Sequence, residues 1–492
     1  MKAISKSQYN LSLQCPKAFW LYRHRRDLQV FSASQKKVMR QGTSFGEYMQ
    51  GLFPGGTDIN QEVSRFGEKI ELTKVLLEKA THPIYEATLS CFVEGAPLLC
   101  MVDILVPGTH GWHIYEVKSS TSVKPEYLTD VAFQKYVAEQ MGLTIESANV
   151  IHVNNQYERL GPIEIQKLGV IANVDQAIQN LTIDFTQEVL ALKALDRNGQ
   201  PNTSIGTHCN KPYTCGFKNH CWKEVPVKDS VFDLFPETQA FELFNQGFLA
   251  VQDIPDRYPF SGKALDRFTW NKKKELHINS QEVNQFLGQI QYPLSFLDFE
   301  SFMSAIPKFD HSRPYQQICF QYSLHIQREE GGELEHTEFL DNAIGLDTRI
   351  PFIKQLIKDI GTIGSIVVYN ASFERKRLEE IGENFPQYNA ACQNIAKRMI
   401  DLYVPFRDLS VYHPDMKGSA SIKSVLPALI PDLNYADLEV GDGGQAMQVF
   451  ENMLNGVYNA EETQSLRKAL LKYCALDTWA MVKLLEWLRN SV

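Results

Sequence analysis

The period of the apolar pattern changes several times along this chain. Ser5 to Tyr22 reads as a helix with a serine N-cap, carrying Tyr9, Leu11, Leu13, Phe19, Trp20 and Leu21 as its apolar material. The Cys15-Pro16 step interrupts it, because proline has no N–H to donate, and presents the thiol at a bend. A loop containing Phe53-Pro54-Gly55-Gly56 and a helix around Glu68 to Ala80 come next. Three strand-like runs follow, Ile84 to Phe92, Pro97 to Val106 and Trp112 to Ser119, then a helix from Pro125 to Gly142 and a strand from Asn149 to Val153.

Val231 to Asp253 and Gly262 to Leu287 look helical and amphipathic, separated by a turn at Pro255 and Pro259. Period two then returns in Pro293 to Glu300, in Ile318 to Ile326 and in Glu338 to Leu340. A helix from Thr348 to Ile360 leads to Ser365 to Asn370, a strand whose continuously apolar middle predicts burial on both faces. The last helix carries a core stripe at steps of three and four: Leu466, Leu470, Tyr473, Asp477, Met481, Leu484, Leu488.

Several acids break these patterns. Asp103 interrupts the apolar run Met101 to Leu105, and Glu116 and Lys118 share one side of the strand Ile114 to Lys118. An Asp and a Glu on neighbouring strands can share a divalent ion, with a lysine beside them to orient a water. A surface hairpin with a Glu–Lys pair explains Glu116 and Lys118 but not Asp103. Asp298 and Glu300 occupy one face of their strand, with Leu297 and Phe299 on the other, so something cationic is expected between them. Asp477 is the one acid in its helical stripe, with Tyr473 a turn before it. An unpaired buried carboxylate costs several kcal/mol, which makes that placement a signal; a structural hydrogen bond explains Asp477 alone.

Cys209, Cys215 and Cys221 sit among turn-forming residues in His208 to Trp222, each separated from the next by five residues. Thiolates on a tight loop suit a soft or borderline metal, and Cys15 is a distant fourth. If Cys15 joins them, one centre closes everything from residue 15 to residue 221 into a domain. Reduced structural thiols, or zinc completed by His208 or His220 with Cys15 in the core, are the alternatives.

A length of 492 residues predicts two or three domains. Hydrophobic content of 44% and charged content of 22% describe an ordinary globular composition, without repeats or low-complexity segments. No run of 18 apolar residues occurs and the first residues lack a signal-peptide core, so a cytoplasmic location without membrane contact is the expectation. Clustered cysteines in a reducing compartment point to metal rather than disulfide. A net charge of −9 argues against nucleic-acid binding by bulk electrostatics but leaves open a cation-loaded acidic site. Trp270 beside Lys272, Lys273 and Lys274 is either a strand-stacking contact or a solvated helix face.

Asp103, Glu116-Val117-Lys118 and the following helix with Gln134 and Tyr136 resemble the PD-(D/E)XK nuclease motifs of the RecB type. Iron–sulfur members of that group place one cysteine before the core and three after it, the layout of Cys15, Cys209, Cys215 and Cys221. The resemblance implies a 4Fe-4S cluster as a structural clasp, Asp103 and Glu116 as metal ligands and Lys118 as catalytic lysine. Such nucleases usually carry an early histidine ligand; in Gly42 to Glu47 a glycine stands in its place, with Glu47 or Glu86 as possible substitutes. The spacing between the first two of the three clustered cysteines is also wider than in most of these proteins.

Asp298-x-Glu300, Asn370 with Glu374, and Tyr473-x3-Asp477 resemble the DEDDy subclass of DnaQ-like 3′–5′ exonucleases, which have an RNase H-like sheet. That resemblance implies Asp298, Glu300, Glu374 and Asp477 as ligands of two Mg²⁺ or Mn²⁺ ions about 4 Å apart, and Tyr473 as the residue that positions water. Glu374 stands where aspartate is usual, with Asp401 in reserve, and a substrate contact at Gly418 to Lys423 is a further expectation.

The chain as a whole is similar to an uncharacterised bacterial family that fuses the two domain types. The expected fold is α/β: a PD-(D/E)XK core closed by the cysteine site over 1–225, a helical connector over 226–285, and an RNase H-like mixed sheet with flanking helices over 286–492. The expected function is hydrolysis of DNA or RNA by a metal-dependent nuclease, chiefly a 3′–5′ exonuclease with a second centre in the first domain. Repair, recombination or anti-phage defence are settings by analogy. The rival is an iron–sulfur module that binds nucleic acid or a partner with one or both centres inactive.

Overall fold

The computed structural model describes residues 2–79, 81–342, 345–435 and 438–492, apart from the side chains at 33, 34, 37 and 41. It is a mixed α/β protein of two compact units, Met1–Lys223 with Ser304–Tyr315 and Glu224–Met303 with Gln316–Val492. Among the described residues no helix is long and apolar enough to cross a membrane.

The first unit is built on strands β1 (Ile4–Ser5), β2 (Thr57–Asp58), β3 (Ile84–Val93), β4 (Ala96–Pro107), β5 (Trp112–Lys118), β6 (Ile145–Val153) and β7 (Gly169–Asn173). Their order is β2-β3-β4-β5-β6-β7, with β1 alongside β4. Glu94 and Gly95 join β3 to β4 with φ of 49° and 70°, the left-handed pair that a tight two-residue hairpin requires. From β5 the chain crosses through the helix Pro125–Gln140 to β6, which runs parallel to β5. That helix packs Val131, Phe133 and Val137 on the core with Ile84, Leu98 and Ile114. The helix from Phe66 ends at Lys79, and Ala80, at the end expected from the sequence, lies outside the described residues. The Cys15-Pro16 step separates two helices, Lys6–Gln14 and Pro16–His24, with Cys15 in extended backbone.

The second unit has a short pair, β8 (His277–Ile278) with β14 (Val411–Tyr412), and a main sheet of β9 (Leu294–Phe302), β10 (Ile318–Gln327), β11 (Leu334–Leu340), β12 (Ile366–Val368) and β13 (Met399–Asp401). The main sheet is mixed, in the order β11-β10-β9-β12-β13: β9 is antiparallel to β10 and parallel to β12. One face packs Leu297, Phe299 and Tyr322 on Phe352 and Leu356 of the helix Arg349–Ile360. The other face packs Phe296 and Val367 with Met481 and Leu485 of the long C-terminal helix Ala460–Asn490.

The segment 226–285 corrects the expectation of a connector. Its Val231, Leu234, Leu243, Phe268 and Val283 belong to the same core as Met481 and Leu485, so it is part of the second unit. Its two expected helices are also divided. Pro236 interrupts the first before Glu237–Asn245, and the second stops where Lys274 takes a φ of 57° ahead of β8. Trp270 stacks on His277 at 4.0 Å and also packs on Tyr412, while Lys272 pairs with Asp256 at 3.2 Å. Those side chains are engaged within the fold rather than set out as a stacking platform.

Candidate functional site

Alternation along β9 places Asp298 and Glu300 on the face that continues from Leu294 and Phe296, against the C-terminal helix. Asp477 comes from that helix, its stripe otherwise filled by Leu470, Met481 and Leu484. One carboxylate oxygen from each of Asp298, Glu300 and Asp477 lies within 4.8 Å of the others. Glu374, in the first turn of the helix Ser372–Asn384, stands outside that group but close enough for its charge to act on Asp298 and Glu300. Glu374 is buried, and its Oε2 has no hydrogen-bond partner.

Burial pushes all four carboxyls up, and repulsion from the others adds to it at Asp298 and Glu300. Glu300 is raised to about 8 by burial and the Asp477 charge, and Glu374 to about 8 by burial first. Asp477 rises to about 6 by burial, held back by the Tyr435 hydroxyl, and Asp298 is pushed well above the usual carboxylate range by burial and Asp477. Such a group takes up protons or cations. Buried carboxylates with raised affinity for positive charge, and an orphaned oxygen among them, fit a hard divalent ion.

Tyr435 donates to Asp477 Oδ1 at 2.7 Å, and Tyr473, one turn before Asp477, also holds its carboxyl down. Lys423 reaches in from the helix Ile422–Leu429, with Nζ 5.3 and 5.0 Å from the Tyr435 and Tyr473 rings and bonded to Gly441 O at 2.8 Å. Its charge lowers Glu300 and Asp477. Gly443 lies beside the group, where a Cβ would stand in ordinary contact, 3.5 Å, with Glu300 Oε2. Asp401 is used differently: its Oδ1 accepts from the Asn370 and Tyr403 backbone amides at 2.9 and 3.1 Å. Sequence reading missed Tyr435, and Cys474, whose Sγ lies 3.5 Å from Asp298 Oδ2; each sits one bond from an anomalous acid, a relation only folding reveals.

The first unit also gathers acids, with cations among them. Glu116 Oε1 is 2.6 Å from Lys6 Nζ and 2.7 Å from Lys118 Nζ, and Oε2 accepts from Gln134 at 2.6 Å. Lys118 also binds Asp130 Oδ2 at 2.5 Å, and Asp103 Oδ2 accepts from the Val117 amide at 2.7 Å. Burial alone would raise Glu116, yet Lys118 and Lys6 hold it at about 2, while Asp103 rises to about 7 through burial and the Glu116 charge. Glu86 joins the group with a φ of 55°, and burial followed by the Asp58 charge pushes it up. Glu47 is exposed. Tyr136 is directed elsewhere, its hydroxyl 3.0 Å from Thr186 and its ring stacked on Phe185. Sequence reading missed Lys6, Asp130 and Asn10, whose amide donates to Asp130.

Cys15, Cys209, Cys215 and Cys221 line one cavity, with His208 and Lys17 beside them. All four are free thiols, and the Phe217 amide donates to Cys215 Sγ at 3.5 Å. Burial pushes the Cys215 thiol to about 11 and raises Cys15 and Cys221. Four sulfur donors lining one cavity, three from one loop and Cys15 from far away in sequence, fit a thiophilic metal group.

A family described as a domain of unknown function (DUF2779) matches residues 295–421, from β9 to the approach of Lys423. Uncharacterized protein UU173 of Ureaplasma parvum is 28% identical over 46% of this chain and 35% of its own length. Uncharacterized protein MG366 of Mycoplasma genitalium is 25% identical over 45% of this chain and 36% of its own, and its Mycoplasma pneumoniae homolog 23% over 54% and 43%. The chain thus spans well under half the length of the curated relatives it matches. A crystal structure titled SSO0001 aligns with 45% of this chain and 86% of its own at 12% identity and a TM-score of 0.24.

Proposed function

We propose that this protein is a metal-dependent nuclease that shortens DNA or RNA from the 3′ end, with its chemistry in the second unit. The observation that carries the reading is the convergence of Asp298, Glu300 and Asp477 within 4.8 Å, with the Tyr435 hydroxyl donating to the last. The sheet order β11-β10-β9-β12-β13, with the first two acids on its central strand, supports an RNase H-like arrangement.

Asp298, Glu300 and Asp477 would hold the divalent ions, with Glu374 offering its unpartnered oxygen. Bound there, Mg²⁺ or Mn²⁺ supplies a lowered water pKa and charge neutralisation at the leaving 3′-oxygen. Tyr435 fixes the carboxylate of Asp477, and Tyr473 lies one turn before it on the same helix. Lys423 leaves the site with a positive side toward which a phosphate is drawn.

For the first unit, the resemblance to RecB-type nucleases proposes Cys15, Cys209, Cys215 and Cys221 as holders of a 4Fe-4S cluster that clasps residue 15 to residue 221. A zinc ion held by the same sulfurs is the alternative.

The test is digestion of 5′-labelled single-stranded DNA and RNA with Mn²⁺ by anaerobically purified protein. A ladder that shortens from the 3′ end and vanishes in Asp298→Ala is the expected result. Intact substrate with wild-type protein overturns the reading, and leaves the nucleic-acid-binding module as the one to pursue.

A further inference from the structure

We propose that the carboxylate cluster of the first unit carries its own cation: the Lys6 ammonium takes, at Glu116, the place that a divalent ion would hold. The chain positions Lys6 firmly. It opens the helix Lys6–Gln14, directly after β1, whose Ile4 and Ser5 pair with Leu98 and Leu99 of β4. The Ser5 side chain caps that helix by accepting from the Gln8 amide at 3.3 Å. Fixed from both sides, Lys6 Nζ meets Glu116 Oε1 at 2.6 Å, with side-chain exposures of 17% and 2%.

Other donors of the group are engaged as well. Lys118 shares the same Glu116 oxygen at 2.7 Å and Gln134 fills the other at 2.6 Å. Asp103 Oδ2 is engaged by the Val117 amide at 2.7 Å. Asp130 receives Lys118 on one oxygen and Asn10 on the other. Two ammonium ions set against Glu116 and Asp130 balance those charges, and a doubly charged ion at Glu116 would be repelled by both. Among the described residues, three carboxylates at ion-binding spacing occur in the second unit and not in this one. The donor set therefore does not fit the ion that the RecB resemblance implies. The first unit keeps the shape of such a centre with a lysine in place of its metal.

The experiment uses full-length protein carrying Asp298→Asn and Asp477→Asn, which removes the second unit's ligands and makes the readout independent of any nuclease activity. Bound Mn²⁺ is counted by electron paramagnetic resonance, with circular dichroism as the fold control. The expected result is no bound Mn²⁺ with Lys6 present or with Lys6→Arg. Adding Lys6→Gln should produce a bound Mn²⁺ that Glu116→Gln abolishes. Lys6→Met, which keeps the length of the side chain, serves if the glutamine variant does not fold. Mn²⁺ bound in the presence of Lys6 and lost on Glu116→Gln overturns the proposal. So does a folded Lys6 variant that gains no ion.

Discussion

In the first unit Glu116 lies between Lys6 and Lys118; in the second, Glu300 and Asp477 have each other and Asp298, with Lys423 as the cation that acts on both. Burial acts on all of these carboxyls in the same direction. Their neighbours decide the result: Glu116 is held at about 2, whereas Glu300 rises to about 8 and Asp477 to about 6. A buried acid with internal ammonium partners is satisfied by the fold itself, and one surrounded by other acids calls for a cation from outside. On the proposed function, the contrast separates a Glu116 that folding satisfies from an acidic cluster that a divalent ion would complete.

The comparison breaks first if the wrong cluster drives cleavage. Asp298→Ala should lower the rate of 3′-end shortening on the order of 10³-fold, the equivalent of several kcal/mol of lost metal-centred stabilisation. Glu116→Ala should leave that rate within a few-fold, read from the same labelled substrates. Stability should show the reverse. Glu116→Ala strands the mostly buried Lys6 ammonium, leaves Lys118 with Asp130 alone, and should cost roughly 3 kcal/mol in urea denaturation of the first unit. Asp298→Asn should stabilise the metal-free second unit.

The effect of pH is smaller, and at Glu116 it is opposite in sign to that at Glu300 and Asp477. Glu300 and Asp477 have raised folded values, so the metal-free second unit should lose stability as pH rises from 4.5 through about 8 for the first and from 3.8 through about 6 for the second. Divalent ion should flatten that decline in a series of melting curves. Glu116 is depressed, so its contribution is present above 4.5 and fades as pH falls toward about 2. The smallest effect is expected from Tyr435→Phe, which removes one hydrogen bond to Asp477 worth roughly 1.5 kcal/mol and should slow cleavage by about tenfold.

Much of this was legible because it follows from parity and period. Asp298 and Glu300 fall on one face by alternation, and Asp477 joins them because its helical stripe has to pack on that face. The hairpin of β3 and β4 and the crossover to β6 are equally local. Lys6 was not legible: it is a lysine at a helix start, and its partner Glu116 is 110 residues away. Lys423 and Tyr435 reach Asp477 from separate segments without a periodic signal to link them. Apolar positions in 226–285 announce burial without saying in which core, and only packing assigns them to the second. Strands as short as β2 and β13 leave too few residues for alternation to register.

Anomalous diffraction from crystals of the wild-type protein soaked in Mn²⁺ tests the central contrast most directly. The account predicts manganese peaks among Asp298, Glu300 and Asp477 and none at Glu116, where Lys6 should remain. A peak at Glu116 with Lys6 displaced, or bare carboxylates at Asp298, would contradict it.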